Sequence, residues 1–569
     1  MEIPSKHISS RLKIFIVAIL LLFFAISFRL FHLQVYRTVH MFSLAQKNFL
    51  RYEKISSPRG NIVDCNQRLL ATNRPINCVS WQGSGKKNIT PDNLNRIEKL
   101  SQILNLNDAE KEALLLAEKY GKRYLIKNDV NLQELAKIVE IFNDCENIII
   151  TKNFRRYYPY GCLASHILGY LGCMDFELEG KMGLEKMCEE QLKGEPGQLV
   201  KTINSVGKNL EEKEVKQPLA GFDIETTINL DFQIIAESVF SEDHDGALIL
   251  MDPQTGAIEA LISRPTFDPS IFLQSIEQNQ WSELQAKKAL LNRAFNASYP
   301  PASIFKLIAI SSVLEQKLFN LEKTWYCSGK VHFCGRPYHC SNRLGHGILT
   351  FKEAVAQSCN IPFFEMAKNV NIDTLAHYAH KFGLGEKTGT IFPENTGLIP
   401  TKSWKRLAKG EPWWPGETLS GIIGQSYLLV TPIQIACMIS SIGQGYRVTP
   451  RILKNEPITL APLEISQSTR NYLKKFMREV VKIGTAKKLN KFKDIKIYAK
   501  TGTAQTSDLS KRGWGQQFLE HAWFVSYFKY KNHKPLTLIM IIENVGGSVV
   551  ATSVAKKFIA QYMQLMDRE

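Results

Sequence analysis

The chain has 569 residues, of which 44% are hydrophobic and 22% are charged, and its formal net charge at pH 7 is +17. This length predicts roughly two to four domains, and the composition is typical of a globular protein without long disordered regions. No basic block interleaved with aromatic residues and no zinc-finger cysteine pair accompanies the charge, which excludes nucleic acid as the expected partner. The charge favours an anionic lipid surface or a pyrophosphate-bearing precursor, with a merely basic solvated surface as the alternative.

The first predicted element is a helix over residues 14–35 that crosses a membrane once. At ~1.5 Å per residue it spans about 33 Å, enough for the ~30 Å hydrocarbon core of a bilayer. Lys6, Arg11 and Lys13 precede it, so the positive-inside rule places residues 1–13 in the cytoplasm and the rest of the chain outside. A cleaved signal peptide is the alternative, but the apolar stretch is long and no small-residue cleavage site follows it.

Residues 36–216 are predicted to form a mixed α+β module next to the membrane. Between residues 90 and 142 apolar residues recur with helical spacing, and Asn107 with Glu110 resembles a capping box at the start of one helix. The turns that follow carry no acid-base or metal-binding constellation. We therefore expect the module to have a positioning role or to bind partners. The sequence pattern changes near Lys216, which places the domain boundary there.

Residues 217–569 are predicted to form a second α+β domain. Two apolar strands at 247–252 and 257–262 flank a Pro-Gln-Thr-Gly turn, which is typical of a β-hairpin. Further β-rich segments come much later, at 495–499, 522–528 and 536–543, and an amphipathic helix at 549–566 closes the chain. Strands at both ends with helices between them indicate one sheet that is assembled from sequence-distant pieces.

The candidate catalytic motif of this domain is Ser303-Ile304-Phe305-Lys306. Two prolines forbid helix before Ala302, and the apolar run after Lys306 favours a buried helix that begins near Ser303. The spacing i, i+3 places hydroxyl and amine on one face, so that Lys306 can take the proton of Ser303. The unpaired N–H groups of a helix N-terminus also suit an oxyanion that forms when Ser303 attacks a carbonyl.

Ser-x-x-Lys alone is a weak motif, because it recurs elsewhere in the chain, at Ser10, Ser84, Ser205, Ser526 and Ser553. Downstream motifs strengthen the one at Ser303. Ser358-Cys359-Asn360 and Lys500-Thr501-Gly502-Thr503 are of the types that accompany Ser-x-x-Lys in penicillin-binding proteins and serine β-lactamases. A second Lys-Thr-Gly-Thr at 387–390 has no strand before it and is predicted to be a loop, whereas Gly502 ends a strand whose open edge suits an added peptide strand.

With these motifs the chain resembles the class B penicillin-binding proteins, and the resemblance covers nearly its whole length. Within that class it is most similar to the elongation, or rod-shape, enzymes. The segments that carry the likeness are Arg29 to Val35, Arg59-Gly60-x-Ile62-x-Asp64, Gly183-x-Glu185, Asp252-Pro253-x-Thr255-Gly256, Arg264-Pro265-x-Phe267-Asp268-Pro269, Gly345-His346-Gly347, Trp413 to Thr418, Gly424-Gln425, His521 to Phe524 and Ile542 to Gly547. The chain departs from the family at Cys65 and Gln67, where Arg and Gly are common, and at Ala302, where a Gly is usual.

The resemblance implies an N-terminal transmembrane helix, an elongated dimerisation (pedestal) domain and a serine transpeptidase domain of the penicillin-binding/β-lactamase type. It implies a D,D-transpeptidase or carboxypeptidase of the cytoplasmic membrane that cross-links peptidoglycan stem peptides through a seryl acyl-enzyme and is acylated by β-lactams. Ser303 would be the nucleophile and Lys306 its base. Ser358 would relay a proton, Asn360 would hold the acyl amide, and Lys500, Thr501, Gly502 and Thr503 would bind the terminal carboxylate and edge of the donor. The N–H groups of Ser303 and Thr503 would form the oxyanion hole.

The resemblance also implies partners, namely a membrane-embedded glycosyltransferase of the SEDS (RodA) type and scaffold proteins of the elongation machinery. No cofactor is implied for the chemistry itself. Three alternatives stay open at this point. A division-specific transpeptidase shares the same motifs, a β-lactamase shares the three catalytic motifs but rarely has a retained anchor, and a non-catalytic β-lactam sensor or scaffold would be acylated without transferring the acyl group.

Four of the eleven cysteines lie between positions 327 and 359, and three of them form a separate constellation with one histidine. Cys327, Cys340, His346 and Cys359 follow the pattern Cys-x₁₂-Cys-x₅-His-x₁₂-Cys. Three thiolates and an imidazole are a suitable tetrahedral set for structural zinc, and rod-type relatives are associated with zinc at these places, with some carboxylate ligands instead. A disulfide, for which Cys334 is a candidate partner, is the alternative outside the cytoplasm.

Overall fold

The computed structural model describes residues 5–143, 145–174, 177–203, 209–274, 276–507 and 509–568, so the first four residues of the predicted cytoplasmic tail lie outside it. The chain divides into two compact units. The first unit comprises Met1–Arg59, Asn73–Arg155 and Gly194–Gly221, and the second comprises Gly60–Thr72, Arg156–Lys193 and Phe222–Glu569. Two segments that precede Lys216, 60–72 and 156–193, thus belong with the second unit.

The helices and strands are numbered in chain order. The α-helices are α1 (Ser5–Phe31), α2 (Thr38–Phe49), α3 (Pro91–Leu104), α4 (Asp108–Tyr120), α5 (Leu132–Ile141), α6 (Ser165–Leu168), α7 (Gly183–Met187), α8 (Glu189–Leu192), α9 (Leu230–Val239), α10 (Gln278–Ala286), α11 (Lys306–Glu315), α12 (Phe351–Ala356), α13 (Ile361–Met366), α14 (Ile372–Lys381), α15 (Lys402–Lys409), α16 (Pro415–Ile422), α17 (Pro432–Gln444), α18 (Gln467–Lys482) and α19 (Ser548–Met566). The strands are β1 (Leu50–Ile55), β2 (Ile62–Val63), β3 (Leu69–Gln82), β4 (Arg123–Lys127), β5 (Ile148–Tyr157), β6 (Leu171–Met174), β7 (Glu177–Gly180), β8 (Gly197–Ile203), β9 (Asn209–Lys216), β10 (Ile224–Glu225), β11 (Gly246–Met251), β12 (Ile258–Arg264), β13 (Thr324–Cys327), β14 (Lys330–Phe333), β15 (Arg336–His339), β16 (Gly347–Thr350), β17 (Tyr446–Val448), β18 (Leu460–Pro462), β19 (Ile495–Ala504), β20 (His521–Tyr530) and β21 (Leu536–Ile542).

The predicted membrane helix is present as α1, which continues into a short π-helical turn at His32–Tyr36. Its apolar part, Leu12–Tyr36, has a mean hydropathy of 2.8 and no part of it is buried against the rest of the chain. This helix is long and apolar enough to cross a bilayer once. The expected single-pass anchor is therefore confirmed as a candidate span by length and composition.

The rest of the first unit has two sheets and a small helical core. β1, β8 and β9 form an antiparallel sheet, while the end of β3 pairs with β4 and, separately, with β5. The capping box of Asn107 and Glu110 is confirmed at the start of α4. The carboxylate of Glu118 is fully buried and accepts hydrogen bonds from Trp81 Nε1 (2.8 Å) and Asn93 Nδ2 (2.7 Å). Burial by itself would raise the pKa of Glu118, but hydrogen bonds from Ser84, Asn93 and Trp81 outweigh it and hold the pKa below its ordinary value.

The second unit is built on a five-stranded antiparallel sheet in the order β12-β11-β21-β20-β19. The predicted hairpin is confirmed, with Leu248 opposite Ile262, and the late strands join it so that Leu248 also faces Met540. Every residue of β11 and β21 is buried. Both faces are covered by helices, with α9 and α19 on one side and α11 and α17 on the other, which explains why these strands read as continuous apolar runs. β19, the strand of Lys500, lies at the edge of this sheet.

A buried ion pair in the second unit accounts for the glutamate of the Gly-x-Glu segment and contacts the backbone of Gly60. Arg156 Nε donates to Glu185 Oε1 (2.7 Å), and its Nη1 donates to the carbonyl of Gly60 (2.7 Å). Tyr158 donates its hydroxyl to the same Glu185 oxygen (3.3 Å). The side chains of Arg156 and Glu185 are 1% and 0% exposed, so this pair stabilises the fold where the segments 60–72 and 156–193 meet.

Replacing Glu185 with Ala is expected to destabilise the second unit by ~3–5 kcal/mol, because the guanidinium of Arg156 would stay buried without its counter-ion. The midpoint of thermal unfolding, followed by circular dichroism on the full chain, checks this. The control is Glu283→Ala, since Glu283 pairs with Lys287 at 2.6 Å on the exposed surface, where an ion pair contributes little to the free energy of unfolding. Equal shifts for the two variants would contradict the structural role of Glu185.

Candidate active site

A cleft of about 700 Å³ in the second unit collects the predicted catalytic and substrate-binding motifs. Its walls include Ser303, Ser358, Asn360 and the edge of β19 from Thr501 to Thr503. His339, Arg343, Gln425 and Glu520 also line the cleft. The volume lies within the range of ordinary ligand sites.

Ser303 lies in a tight turn whose backbone is constrained from both sides. The α-helix was expected to begin near Ser303, but the structure places Ser303 in a 3₁₀ turn at Ala302–Ile304 and starts α11 at Lys306. The reason is Ala302, which has φ +48° and donates its N–H to the carbonyl of Gly424 (2.8 Å). A left-handed alanine costs about 1–3 kcal/mol, so the departure from the usual glycine leaves strain next to the nucleophile. A Cβ on Gly424 would lie 2.0 Å from the Ala302 carbonyl oxygen, which explains that glycine.

The amine of Lys306 is fully buried beneath the cleft floor. It donates to the side-chain oxygen of Asn360 (2.7 Å) and to the carbonyl of Ser358 (2.8 Å), and it lies 3.4 Å from the Ser358 hydroxyl. Burial lowers the pKa of Lys306 to about 8, against the opposite influence of the Cys359 and Cys340 thiols. The first motif thus contacts both polar residues of the second motif directly.

Ser358 and Asn360 are held by the junction between α12 and α13. Ser358 has φ +58°, a sparsely populated conformation for serine that turns the chain sharply between the two short helices. The side-chain amide of Asn360 accepts from Lys306 and donates to the carbonyl of His339 (2.9 Å), which fixes its orientation. Both side chains are about nine-tenths buried and face the cleft.

Lys500 completes the polar centre from the edge strand. Its fully buried amine donates to the Ser358 hydroxyl (3.0 Å) and to the carbonyl of Thr501 (2.9 Å). Burial, and then repulsion by the charge of Lys306, holds the pKa of Lys500 well below its usual range. Ser358 therefore lies between two buried amines that compete for one positive charge.

Gly502 lies where the edge strand β19 passes the turn that carries Ser303, and it adds no side chain there. A Cβ built at Gly502 would meet the Cβ atoms of Trp523 and Ala302 at 3.3 and 3.4 Å, so a side chain there would press on both neighbours. Trp523 in turn donates its indole N–H to the carbonyl of Pro300 (3.0 Å), just before the nucleophile turn. The sequence-predicted set of Ser303, Lys306, Ser358, Asn360, Lys500, Thr501, Gly502 and Thr503 is thus brought together around one cleft.

Sequence reasoning assigned no role to Gln425, although it lines the cleft and its side chain donates to the carbonyl of Thr503 (3.3 Å). Gln425 follows Gly424 in a turn, and nothing in its neighbouring residues signals a contact with a strand 78 positions later. The second Lys-Thr-Gly-Thr, at 387–390, is confirmed as a loop outside the cleft lining, where Thr388 and Gly389 hydrogen-bond to Glu394.

The predicted metal-binding residues form one buried cluster close to the cleft. The ligand atoms of Cys327, Cys340, His346 and Cys359 all lie within 4.8 Å of one another. The sulfur atoms of Cys340 and Cys359 are 3.7 Å apart, and His346 Nδ1 lies 3.5 Å from Cys327 Sγ and from Cys340 Sγ. The contact between the two thiols lowers the pKa of Cys340 to about 4 and raises that of Cys359.

These separations fit a tetrahedral metal site and not a disulfide. Zinc with ~2.3 Å bonds to sulfur places two thiolates about 3.8 Å apart, whereas a disulfide needs a bond of ~2.05 Å. Among the cysteines that the structure describes, Cys327, Cys334, Cys340 and Cys359 are all free thiols. The cluster also touches the second catalytic motif, since the backbone N–H of Asn360 donates to Cys340 Sγ (3.4 Å) and Ser341 Oγ donates to the carbonyl of Ser358 (3.3 Å).

Two family models match the chain. The penicillin-binding protein transpeptidase domain matches residues 246–560, and the penicillin-binding protein dimerisation domain matches residues 54–226. Among curated relatives, the peptidoglycan D,D-transpeptidase MrdA of Acinetobacter baumannii is 28% identical over 566 residues, with 92% of this chain and 83% of that protein covered. MrdA of Escherichia coli is 27% identical, with 97% and 93% covered.

Among solved structures, penicillin-binding protein PBP2 of Helicobacter pylori in its complex with MreC is similar with a TM-score of 0.78 at 26% identity, covering 91% of this chain and 99% of that chain. A fold with an open-edged antiparallel sheet over a Ser-x-x-Lys turn, preceded by a dimerisation domain, defines a bimodular serine transpeptidase. The chain belongs to the class B penicillin-binding proteins, and within them to the penicillin-binding protein 2 type.

Proposed function

We propose that this protein is the peptidoglycan D,D-transpeptidase of cell elongation, anchored in the bacterial cytoplasmic membrane with its catalytic domain outside. The observation that carries the proposal is the convergence of Lys306 and Lys500 on Ser358 in the cleft that Ser303 lines. The peptidoglycan D,D-transpeptidase activity for which the MrdA relatives are named supports the substrate class. The basic residues before α1 support the orientation by the positive-inside rule.

In the first half-reaction Ser303 Oγ attacks the carbonyl between the two terminal D-Ala residues of the donor stem. Lys306 takes the hydroxyl proton, which requires its amine to be neutral, and burial favours that state. The N–H groups of Ser303 and Thr503 hold the oxyanion; loss of one such donor costs roughly 10²–10³ in rate. A proton then passes through Ser358 to the departing nitrogen, the C–N bond breaks, and free D-Ala leaves with the ester on Ser303.

In the second half-reaction the amine of an acceptor stem attacks the ester carbonyl. The amine loses a proton to the Lys306 and Ser358 pair, the C–O bond to Ser303 breaks, and the proton returns to its hydroxyl. Water in place of the amine would give the carboxypeptidase product. A β-lactam enters the same path but keeps its leaving group attached, so the ester on Ser303 persists.

The charge states of the two buried lysines, Lys306 and Lys500, are coupled. The donor's terminal carboxylate, bound by Lys500, Thr501 and Thr503, stabilises the protonated form of Lys500. A charged Lys500 disfavours a second charge on Lys306, because both amines contact the same Ser358 hydroxyl. Substrate binding therefore helps to keep Lys306 in the neutral form that acts as base.

The Cys327, Cys340, His346 and Cys359 cluster fits structural zinc by its donor set and separations. Zinc bound there would supply no step of the reaction and would cross-link β13, the 340–346 segment and the α12–α13 junction. Because Cys359 is flanked by Ser358 and Asn360, this chain's thiolates would fix both catalytic side chains in place. The proposed reaction in the cleft itself needs no cofactor.

The proposal includes partners outside this chain. The Helicobacter pylori relative was solved in complex with MreC, and a second similar structure, with a TM-score of 0.73 at 28% identity, belongs to a peptidoglycan synthase complex that couples polymerisation and crosslinking. By this likeness we propose a membrane glycosyltransferase of the RodA type and an elongation scaffold protein as partners. Stem peptides are the substrates, and β-lactams are the expected inhibitors.

Incubation of the full chain with a stem pentapeptide is expected to release D-Ala and, with an acceptor amine present, to form the cross-linked product. Mass spectrometry of the products checks both. Acylation by penicillin without any D-Ala release would identify a sensor or scaffold in place of an enzyme, and would contradict the proposal.

A further inference from the structure

The segment 323–352, which carries three of the four metal-cluster residues, is one-sided in charge: it contains five lysines and arginines and no aspartate or glutamate. Lys323 pairs with Glu365 outside the segment. Lys330, Arg336 and Arg343 are all exposed. Among the residues that the structure describes, these three cations have no carboxylate within ion-pair distance, so their charges are not compensated by an ion pair there.

One of these cations, Arg343, lines the catalytic cleft, and Lys330 lies next to residues that line it. Arg343 lines the cleft, and so does His339, which is directly opposite Lys330 in the β14–β15 hairpin. The carbonyl of Arg343 also lies against Gly329, where a Cβ would approach it to 2.1 Å, so Arg343 and Lys330 are neighbours. We call Lys330 and Arg343 the basic rim. Arg336 lies at the turn of the same hairpin, opposite Phe333, and does not line the cleft.

The backbone that carries Arg343 is held firmly although its side chain is exposed. Asn342 Nδ2 donates to the carbonyl of Gly345 (2.6 Å), and Asn342 Oδ1 accepts from the N–H of Leu344 (3.1 Å). The N–H of Cys340 donates to the carbonyl of Gly329 (2.9 Å), which ties the segment to the hairpin. A guanidinium on a fixed backbone loses less freedom on binding, and it matches a carboxylate with two parallel hydrogen bonds.

The cleft extends beyond the catalytic motifs, since His339 and Arg343 also line it. When the terminal carboxylate of a donor lies at Lys500, Thr501 and Thr503, the rest of its stem peptide must extend along another wall of the cleft. Stem peptides carry carboxylates on the residues before the D-Ala pair. We propose that the basic rim binds such a second carboxylate of the stem peptide and thereby distinguishes the natural donor from ligands that have only one. This assignment rests on the proposed function, and it adds a specificity determinant outside the motifs that perform the chemistry.

A binding measurement tests the rim without requiring turnover. The full chain carrying Ser303→Ala is titrated into a fluorescent stem pentapeptide in two forms, one with free carboxylates and one with the carboxylates before the D-Ala pair amidated, and anisotropy is recorded. We expect the free form to bind more tightly than the amidated form. Arg343→Gln in this background should weaken the affinity for the free form roughly tenfold, because one hydrogen-bonded charge contact is lost. The affinity for the amidated form should stay the same.

Arg336→Gln is the matched control, because it removes the same charge from the neighbouring β14–β15 hairpin, at a residue that does not line the cleft. Equal affinity for both peptide forms, or an equal loss with Arg336→Gln, would overturn the assignment. With Ser303 intact, Arg343→Gln should slow the release of D-Ala from the free-carboxylate pentapeptide more than it slows acylation by fluorescent penicillin, since penicillin has one carboxylate; equal losses in the two reactions would reduce Arg343 to a structural role and also overturn the assignment. Absence of penicillin labelling in the wild type would instead reject the proposed function.

Discussion

Replacing Ser303 with Ala is expected to abolish covalent labelling by fluorescent penicillin. The Ser303 oxygen is the only protein atom that bonds to the acyl group in the proposed mechanism, so its loss leaves no residue to acylate. The decrease should reach the detection limit of gel fluorescence, and the variant should stay in the membrane fraction with unchanged thermal unfolding, because Ser303 lines the cleft and is not part of the core.

Ser553→Ala is the matched control for this experiment. Ser553 and Lys556 form another Ser-x-x-Lys pair, but they lie in α19, where Ser553 donates to the carbonyl of Val549 (2.9 Å) and does not line the cleft. Full labelling of this variant is expected. Labelling that persists in Ser303→Ala would reject Ser303 as the nucleophile, whatever the sequence resembles.

Purified protein is expected to contain about one zinc per chain, and Cys340→Ser is expected to lose it. Cys340 contacts both Cys359 and His346, and its sulfur also accepts the N–H of Asn360, so its removal disturbs the metal cluster and the second catalytic motif together. Zinc content by mass spectrometry should fall to background. The rate of penicillin acylation should fall at least tenfold, and the thermal unfolding midpoint should drop, because metal binding contributes directly to folding.

Cys334→Ser separates this effect from a general effect of thiol removal. Cys334 lies at the exposed tip between β14 and β15 and is not part of the metal cluster. Its replacement should leave zinc content and acylation unchanged. Wild-type protein that contains no zinc after purification without chelator, or Cys340→Ser protein that retains zinc, would contradict the metal assignment.

The sequence predicted the catalytic domain well where periodicity and composition act locally. The continuous apolar runs of β11 and β21 are explained by burial on both faces, and the strand before Lys500 separates the true motif from the loop at 387–390. The cysteine spacing also predicted residues that the fold brings together. In these cases the chemistry of a residue and its neighbours along the chain carries most of the information.

Other features could not be read from the sequence because they depend on contacts between distant segments. The start of α11 is delayed to Lys306 by the pairing of Ala302 with Gly424, more than a hundred positions away. The link between Gln425 and Thr503 and the proximity of Lys330 to Arg343 likewise follow from how loops meet. The early segments 60–72 and 156–193 cluster with the catalytic unit through contacts such as those of Asp64 with the N–H of Leu230 and of His166 with the carbonyl of Ala289, and no local sequence pattern predicts these contacts.

The central claim is that a hydroxyl at position 303 is made reactive by the buried amine of Lys306 beside Lys500. Peptide mapping of the penicillin-treated protein by mass spectrometry tests it most directly. The account predicts a single penicilloyl adduct, located on Ser303. An adduct on any other serine, or none on a folded protein, would contradict it.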